Sequence, residues 1–279
     1  MHLNIILLAV STTVLIRLFW CRSSDTWADR WQQALGAFLF PPILLLTTIT
    51  TVFSMGHHGT MLWHSVGWVG CHIALGFLTI TGISLAYLLG QQWRSLQQSR
   101  SLQLTTIAGR TGRVLETPAL FAAQVGFWGS ELVVSQGLLQ SLQEEQIEAV
   151  LNHEEAHAYY HDTFYFFWLN WIRQLTFWLP KTESLWQELL LLRELRADHW
   201  AAQRVDALTL AEVLVLVVRS ASASPNDYCA AFYDTTAATR LEERIDFLLT
   251  QPEINKSQCQ FWVWFLPTTL PVLAMSLHH

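Results

Sequence analysis

The stretch His153-Glu154-Glu155-Ala156-His157 has the pattern H-E-x-x-H, and it decides how the surrounding chain must fold. Residues four apart on an α-helix lie on one face, about one turn from each other. The imidazoles of His153 and His157 can therefore bind one metal ion, and Glu154 can act on a water molecule beside them. We predict a Zn2+ site on a helix, with Glu154 as the catalytic base.

Two histidines leave a third protein ligand of a catalytic zinc site to be found elsewhere. We favour Glu194, and Asp198 lies four residues later on the same predicted helical face. A carboxylate such as Asp198 can hydrogen-bond a ligand histidine and fix its tautomer. His161 is set aside, because on the same helix it would lie about 12 Å from His153 along the axis. The alternative for Glu194 and Asp198 is a solvated charged face.

The composition indicates a membrane protein. Of the 279 residues, 52% are hydrophobic and 14% are charged, whereas soluble domains carry about 25% charged residues. Three segments are apolar over about the 20 residues that cross a bilayer, namely 3–20, 34–53 and 69–89. A further apolar run at 261–277 predicts a last span. Nucleic-acid binding is not expected, because the chain has no long basic run.

The loop charges orient these helices. Arginines occur in the segments 21–33 and 90–113, whereas 54–68 has neither lysine nor arginine. Because positively charged loops stay on the cytoplasmic side, everything after about residue 90 is expected there. Residues 90–104 are polar and are expected to form a helical connector that leaves the membrane.

A small sheet is predicted ahead of the motif helix. Residues 113–116 favour a short strand, and 121–125 and 131–135 favour a pair of strands around a glycine-containing turn. Ser141-Leu142-Gln143-Glu144 has the pattern of a capping box and predicts the start of the motif helix. The fold class is therefore mainly α, with a small sheet before the metal motif.

The apolar segment 163–180 constrains the topology, because it separates the two ligand-bearing segments. A single crossing of the bilayer would put His157 and Glu194 on opposite sides, where they could not share an ion. The polar residues Asn170 and Arg173 also argue against a lipid-facing span. We expect a helix that lies in or dips into the inner face of the membrane, or packs on the other helices.

The run 143–162, the pattern Glu194-x-x-x-Asp198 and the preceding run 132–139 together resemble membrane-embedded gluzincin peptidases. This group includes the HtpX and CaaX prenyl endopeptidases and the BlaR/MecR-type antirepressor peptidases. The BlaR/MecR type fits better, because three predicted helices precede the motif and Arg193 comes directly before Glu194. The resemblance implies a gluzincin-like α+β zinc peptidase core after the transmembrane helices.

The resemblance also matches Asp162 to an acidic position that often follows the motif, and Arg244 to a late arginine near the active site. An ordinary helix-surface arginine stays an equal alternative for Arg244. Two departures stand out: Glu155 occupies a usually apolar position, and the His-Pro pair that often precedes the late arginine is absent. No penicillin-sensing domain is expected, since only two histidines follow the apolar run 261–277.

The resemblance implies an integral zinc-dependent endopeptidase of the inner (plasma) membrane, which performs regulatory proteolysis of a cytoplasmic or membrane protein. A transcriptional repressor is one candidate substrate, and the lipid bilayer is the other expected partner. Two alternatives stay open: a non-cleaving signalling or scaffold protein on the same fold, and a CaaX-type prenyl-peptide protease. The expected domains are three transmembrane helices over 1–90, a cytoplasmic-side zinc peptidase domain over 91–258 with a membrane-associated helix near 163–180, and a C-terminal transmembrane helix over 259–279.

Overall fold

The computed structural model describes residues 2–20, 26–55, 60–61, 64–65, 68–223, 237–250 and 269. These residues are mostly helical and include one small four-stranded sheet, which confirms the predicted fold class at this level. They divide into two compact units. One unit holds the described residues up to 88 and Leu169–Leu190, and the other holds Leu89–Trp168 and the described residues from 191 to 250. The span expected at 261–277 lies outside the described residues.

Long helices dominate the first unit. The chain begins with three of them: α1 (His2–Phe19), α2 (Trp27–Met55) and α3 (Trp68–Arg100), with two short paired strands, β1 (Thr60–Met61) and β2 (His64–Ser65), before α3. The segments Trp27–Ser54 and His72–Arg100 are long and apolar enough to cross a membrane, and Asn4–Phe19 is a shorter apolar helix. Core helices of soluble proteins and signal sequences satisfy the same test of length and composition.

Two prolines lie inside α2 without ending it. Because proline has no N–H, Pro42 leaves the carbonyl of Phe38, four residues earlier, without its helical donor. Arg17 of α1 supplies the missing donor: its Nη2 lies 3.1 Å from the Phe38 oxygen. The Arg17 side chain is fully buried, and its guanidinium lies 5.4 Å from the centroid of the Phe38 ring. A buried arginine thus supplies a hydrogen bond to the carbonyl that the proline pair leaves without a helical donor.

The second unit contains the four-stranded sheet. Its strands are β3 (Gln103–Ile107), β4 (Arg110–Leu115), β5 (Ala122–Gly126) and β6 (Ser130–Ser135), in the spatial order β3-β4-β6-β5. The β5–β6 pair is antiparallel, as predicted, and β4 runs parallel to β6. The two edges of this sheet are therefore β3 and β5.

Only the end of the helical connector predicted over 90–104 is wrong, because strand β3 takes its place there. Helix α3 ends at Arg100, and β3 begins at Gln103 and pairs with β4 through the tight turn Ala108-Gly109. Both turn residues have positive φ angles, 44° and 79°, as a two-residue hairpin turn requires. The strand was missed because its threonines and glutamine extend a polar stretch, although threonine favours pleated structure.

The predicted capping box was placed two residues too early. Helix α5 (Glu144–Tyr159) has Gln143 as its N-cap, and the side chains of Gln143 and Gln146 form the reciprocal box. Ser141 is instead the last residue of the short helix α4 (Gln136–Ser141). Helix α4 has its own cap, because the Ser135 hydroxyl accepts a hydrogen bond from the Leu138 N–H.

Helix α5 packs against the sheet through one apolar cluster. Buried side chains of the sheet, α4 and α5 meet there with Val213 of α8 (Ala207–Ala223), and the cluster includes Val134, Leu138 and Leu151. Three further helices complete the described elements: α6 (Asp162–Leu175), α7 (Thr182–Ala202) and α9 (Ala237–Thr250). The expected helix at 163–180 therefore exists, but it ends at Leu175, before Pro180.

The close approach of α4 to the preceding loop gives a test of this packing. A Cβ atom at Gly137 would lie 2.2 Å from the Pro118 carbonyl oxygen, so Gly137→Ala must displace backbone. We expect the free energy of unfolding to fall by about 1–3 kcal/mol, as for other overpacked sites. Gly129→Ala is the matched control, because a Cβ atom there meets nothing within 4 Å. Equal unfolding midpoints of the two variants would contradict the described packing.

Candidate metal centre

Helices α5 and α7 bring the three predicted ligands together. The Nε2 atoms of His153 and His157 lie 3.2 Å apart. Glu194 Oε2 lies 3.4 Å from His153 Nε2, and Glu194 Oε1 lies 3.7 Å from His157 Nε2. One ligand atom from each residue fits within 4.8 Å of the other two. Glu194 is not a solvated side chain, since only 19% of it is exposed, so the charged-face alternative is wrong.

The opposite ring nitrogen of each histidine faces a buried aspartate. His157 Nδ1 lies 2.8 Å from Asp162 Oδ2, and His153 Nδ1 lies 2.9 Å from Asp198 Oδ1. The His153 contact is short, but its N–H is not aligned with the oxygen as in a linear hydrogen bond. A carboxylate beside Nδ1 favours the tautomer that carries its proton there and leaves the Nε2 lone pair open.

This donor set fits a zinc ion. Two imidazole lone pairs and a carboxylate oxygen face one another, and such a cluster of acceptors repels unless a cation lies between them. Two nitrogens and one oxygen from histidine and glutamate are also a ligand set of catalytic zinc. Burial disfavours a charged ring at His153, but the Asp198 and Glu194 carboxylates outweigh it and raise the pKa of His153 to about 9. The site therefore favours a positive charge at its centre.

Arg244 belongs to this site, which answers the question that the sequence left open. Its Nε and Nη2 donate to the two oxygens of Asp198 at 2.7 and 2.8 Å, and its Nη1 lies 3.3 Å from Glu194 Oε2. Asp198 is fully buried, which would raise its pKa, yet Arg244 and His153 lower that pKa below its usual value. Helix α9 thus supplies the countercharge that keeps Asp198 ionised next to His153.

Asp162 has a similar arrangement. One of its oxygens contacts His157, and the other accepts a hydrogen bond from Arg196 of α7. The Arg196 guanidinium lies 3.9 Å from the centroid of the Tyr160 ring. The position matched to a family acid therefore contacts His157, and Arg196 supplies its countercharge, a pairing that the sequence did not predict.

His161 does not lie on the motif helix, contrary to the prediction. Helix α5 ends at Tyr159, and His161 has a φ angle of 51° in the turn that follows. Its ring stacks on Trp128 with the ring centroids 4.7 Å apart. His161 is not part of the cluster formed by His153, His157 and Glu194, although the reason given for setting it aside, a place on the motif helix, was wrong.

The two glutamates inside the motif have different surroundings. Glu154 is buried, with 8% exposed, and its carboxylate makes no hydrogen bond or ion pair to any residue that the structure describes. Glu155 is exposed and pairs with Arg110 of β4 at 2.7 Å. Arg110 also donates to Asn152 at 3.1 Å. The unusual charge at Glu155 thus meets an arginine at the protein surface, where an acidic side chain is well solvated.

The model of peptidase family M48 matches residues 113–257, about half of the chain. The chain belongs to peptidase family M48. The match includes α5, α7 and α9, which carry all three ligand candidates and Arg244. The M48 assignment supports a metallopeptidase of the gluzincin type, and peptidases of the M48 family depend on a metal, typically zinc. No curated protein shows significant similarity to this M48 chain.

The aspartates behind the two histidines give a test of the centre. Asp162→Asn and Asp198→Asn each remove a charge that fixes a histidine tautomer, so each should lower Zn2+ affinity about 10–100-fold. The affinity is measured by competition with a chromophoric chelator. Asp206→Asn is the control, because Asp206 caps the start of α8 and is exposed. Unchanged affinity in both site variants would show that these aspartates do not orient metal ligands.

Proposed function

We propose that this chain is an integral membrane zinc endopeptidase, in which His153, His157 and Glu194 hold the ion and Glu154 is the general base. The observation that carries the proposal is the convergence of three facing ligand atoms within 4.8 Å in a chain of the M48 family. The Glu154 carboxylate supports its assignment as the base, because it is buried and makes no hydrogen bond or ion pair to any described residue.

Hydrolysis adds one water molecule across the scissile amide. A zinc ion held by the three ligands would polarise the scissile carbonyl and make a water molecule reactive near neutral pH. Glu154 accepts one proton as the water oxygen bonds to the carbonyl carbon. Glu154 then gives this proton to the amide nitrogen, and the carbon–nitrogen bond breaks. The second proton of the water is now on the new carboxylic acid and passes to the amine. The products are therefore a carboxylate and an ammonium group.

The surrounding charges keep the two histidines ready for this reaction. Asp198 and Asp162 face the two Nδ1 atoms, and a proton on each Nδ1 leaves the Nε2 lone pair free to bind the ion. Arg244 and Arg196 in turn compensate the two aspartates, which are nearly or wholly buried. We assign these four residues to positioning, since none of them is required to touch the substrate.

Strand β5 is proposed to bind the substrate in an extended conformation. It is an edge of the sheet, because within the described strands it pairs only with β6. It also packs against α5, which carries the metal ligands. An unpaired strand edge offers N–H and C=O groups to a peptide by β-augmentation, and this mode accepts many sequences. A protein or peptide substrate, such as a transcriptional repressor, is consistent with such binding.

The membrane location is part of the proposal. Two helices long and apolar enough to span a bilayer support it, as does the apolar surface of α3, where Ile80 and Ile83 are 64% and 65% exposed. Together with the loop arginines, these helices favour a multi-pass protein of the inner (plasma) membrane with the peptidase on the cytoplasmic side. Regulatory proteolysis of a cytoplasmic or membrane protein is the role we propose.

The central test replaces the proposed base. Glu154→Gln should bind Zn2+ as wild type does, but lose at least about 100-fold in the turnover of casein, because the amide cannot accept a proton. Glu155→Gln is the matched control: it is the next residue on the same helix, is exposed, and should keep full turnover. If Glu154→Gln cleaved casein as well as wild type, the mechanism would be wrong. Zinc-loaded wild type without any protease activity would favour a scaffold protein.

The membrane proposal has its own test. Membranes from cells that produce the chain are washed with alkaline carbonate, which removes peripheral proteins. The chain should stay in the pelleted membranes, because apolar spans cannot leave the bilayer without a large cost in exposed surface. Complete release into the wash would contradict the multi-pass assignment and leave the peptidase proposal intact.

A further inference from the structure

In the described part of the chain, three arginines lie around the candidate metal centre, and they differ in their contacts with protein groups and in their exposure to solvent. Arg244 uses all three side-chain nitrogens on Asp198 and Glu194, and only 15% of its side chain is exposed. Arg196 binds Asp162 and stacks on a tyrosine ring, with 17% exposed. Arg193 is the most exposed of the three, at 28%.

Arg193 directs two nitrogens at one oxygen. Its Nε and Nη2 donate to Glu194 Oε1 at 3.0 and 2.7 Å. Its Nη1 has no hydrogen bond to any residue in the described part of the chain. The guanidinium carbon also lies 4.7 Å from the centroid of the Phe166 ring. These contacts hold the guanidinium in place before a substrate binds, and Nη1 is the nitrogen that they do not use.

The fixed guanidinium lies next to the ligand cluster. The oxygen that it binds, Glu194 Oε1, is itself 3.7 Å from His157 Nε2. The positive charge of Arg193 is thus one hydrogen bond away from a carboxylate that faces both histidines. It also lowers the pKa of Glu194 well below its usual range, together with His157 and Arg244, although burial would raise it.

Peptide hydrolysis needs a donor of this kind. The carbonyl oxygen becomes negatively charged when water adds to the carbonyl carbon, and fixed donors at that oxygen are a large part of the rate enhancement in many hydrolases. Glu154 cannot serve while it is ionised, and Arg244 and Arg196 hold buried aspartates. Among the described arginines at the site, Arg193 combines a fixed plane, a spare nitrogen and access from solvent.

We infer that Arg193 is a catalytic residue, whose Nη1 donates a hydrogen bond to the scissile carbonyl oxygen as that oxygen becomes negative. The inference rests on the proposed peptidase function and extends it to the residue that stabilises the transition state. Arg193 keeps its proton throughout, so the bonds made and broken are those of the hydrolysis described above.

The test compares Arg193→Met with Arg204→Met in the full-length, zinc-loaded protein. Methionine keeps an apolar stem for the Phe166 ring and removes the charge. Arg204 is the matched control, because it also lies over an aromatic ring, Trp200, and its Nη1 donates to the Trp200 carbonyl oxygen four residues earlier. We expect Arg193→Met to lower kcat on fluorescent casein about 100–1000-fold, with KM within about threefold of wild type, and Arg204→Met to change neither.

A second readout does not require turnover. N-phosphoryl-Leu-Trp has a tetrahedral anion that resembles the attacked carbonyl, and its binding to the zinc-loaded protein is measured by calorimetry. We expect Arg193→Met to weaken this binding by about the same factor as it lowers kcat/KM, since transition-state analogues follow that ratio. Zn2+ affinity, measured by chelator competition, should stay within about threefold of wild type. Loss of a residue that orients a ligand would instead lower this affinity about 10–100-fold.

The outcomes separate this inference from a purely positioning role and from failure of the peptidase proposal. If Arg193→Met bound zinc about 10–100-fold more weakly and recovered full kcat in excess zinc, Arg193 would only hold Glu194, and the inference would be overturned. Unchanged kcat and unchanged inhibitor binding would overturn it too. If wild type cleaved nothing, the peptidase proposal would fail, and the inhibitor affinities alone would decide whether Arg193 binds the anion.

Discussion

The candidate centre depends on keeping two neighbouring imidazoles in a single tautomer. The Nε2 atoms of His153 and His157 lie 3.2 Å apart, which allows them to share one cation and forbids two protons between them. Asp198 and Asp162 hold the opposite nitrogens and so decide which lone pairs face inward. The rest of the second unit can be understood as the support that these two carboxylates need in order to stay charged while buried.

That support comes from helices far apart in the sequence. Arg196 on α7 and Arg244 on α9 each compensate one aspartate, and Arg193 compensates the candidate ligand Glu194. The charges of the three carboxylates and the three guanidinium groups therefore cancel in the protein without a metal or substrate. A divalent cation brings an excess of positive charge, which Glu154 offsets only in part. The remaining excess suits a reaction whose transition state is negatively charged.

The sequence predicted the candidate ligands because helical periodicity is strict. His153 and His157 must share a face, and so must Glu194 and Asp198, and each spacing is readable without knowing what packs beside it. Contacts between distant elements were not readable in this way. Nothing local in the chain joins Arg244 to Asp198, or Arg110 to Glu155, and both pairs arise only when the sheet and helices have packed. Strand β3 was missed for a related reason, since its threonines form a strand only through pairing with β4.

Local signals also failed where two elements abut. Ser141 has the sequence pattern of an N-cap because Glu144 follows three residues later. In the structure, however, Ser141 is the last residue of α4, and the N-cap of α5 is Gln143. His161 looked helical because the apolar and aromatic pattern continues through it. Helix α5 instead ends at Tyr159, and the His161 ring stacks on Trp128 in the turn that follows.

The bond from Arg17 to the Phe38 carbonyl has a consequence for biosynthesis. Helix α1 is synthesised before Phe38, whose carbonyl accepts the hydrogen bond from Arg17. Until α2 has been made, the Arg17 guanidinium therefore lacks this acceptor. Once α2 emerges, its proline pair leaves a carbonyl that needs a donor. Each helix is therefore incomplete alone, and the two should associate as a hairpin while the remainder of the chain is still being translated.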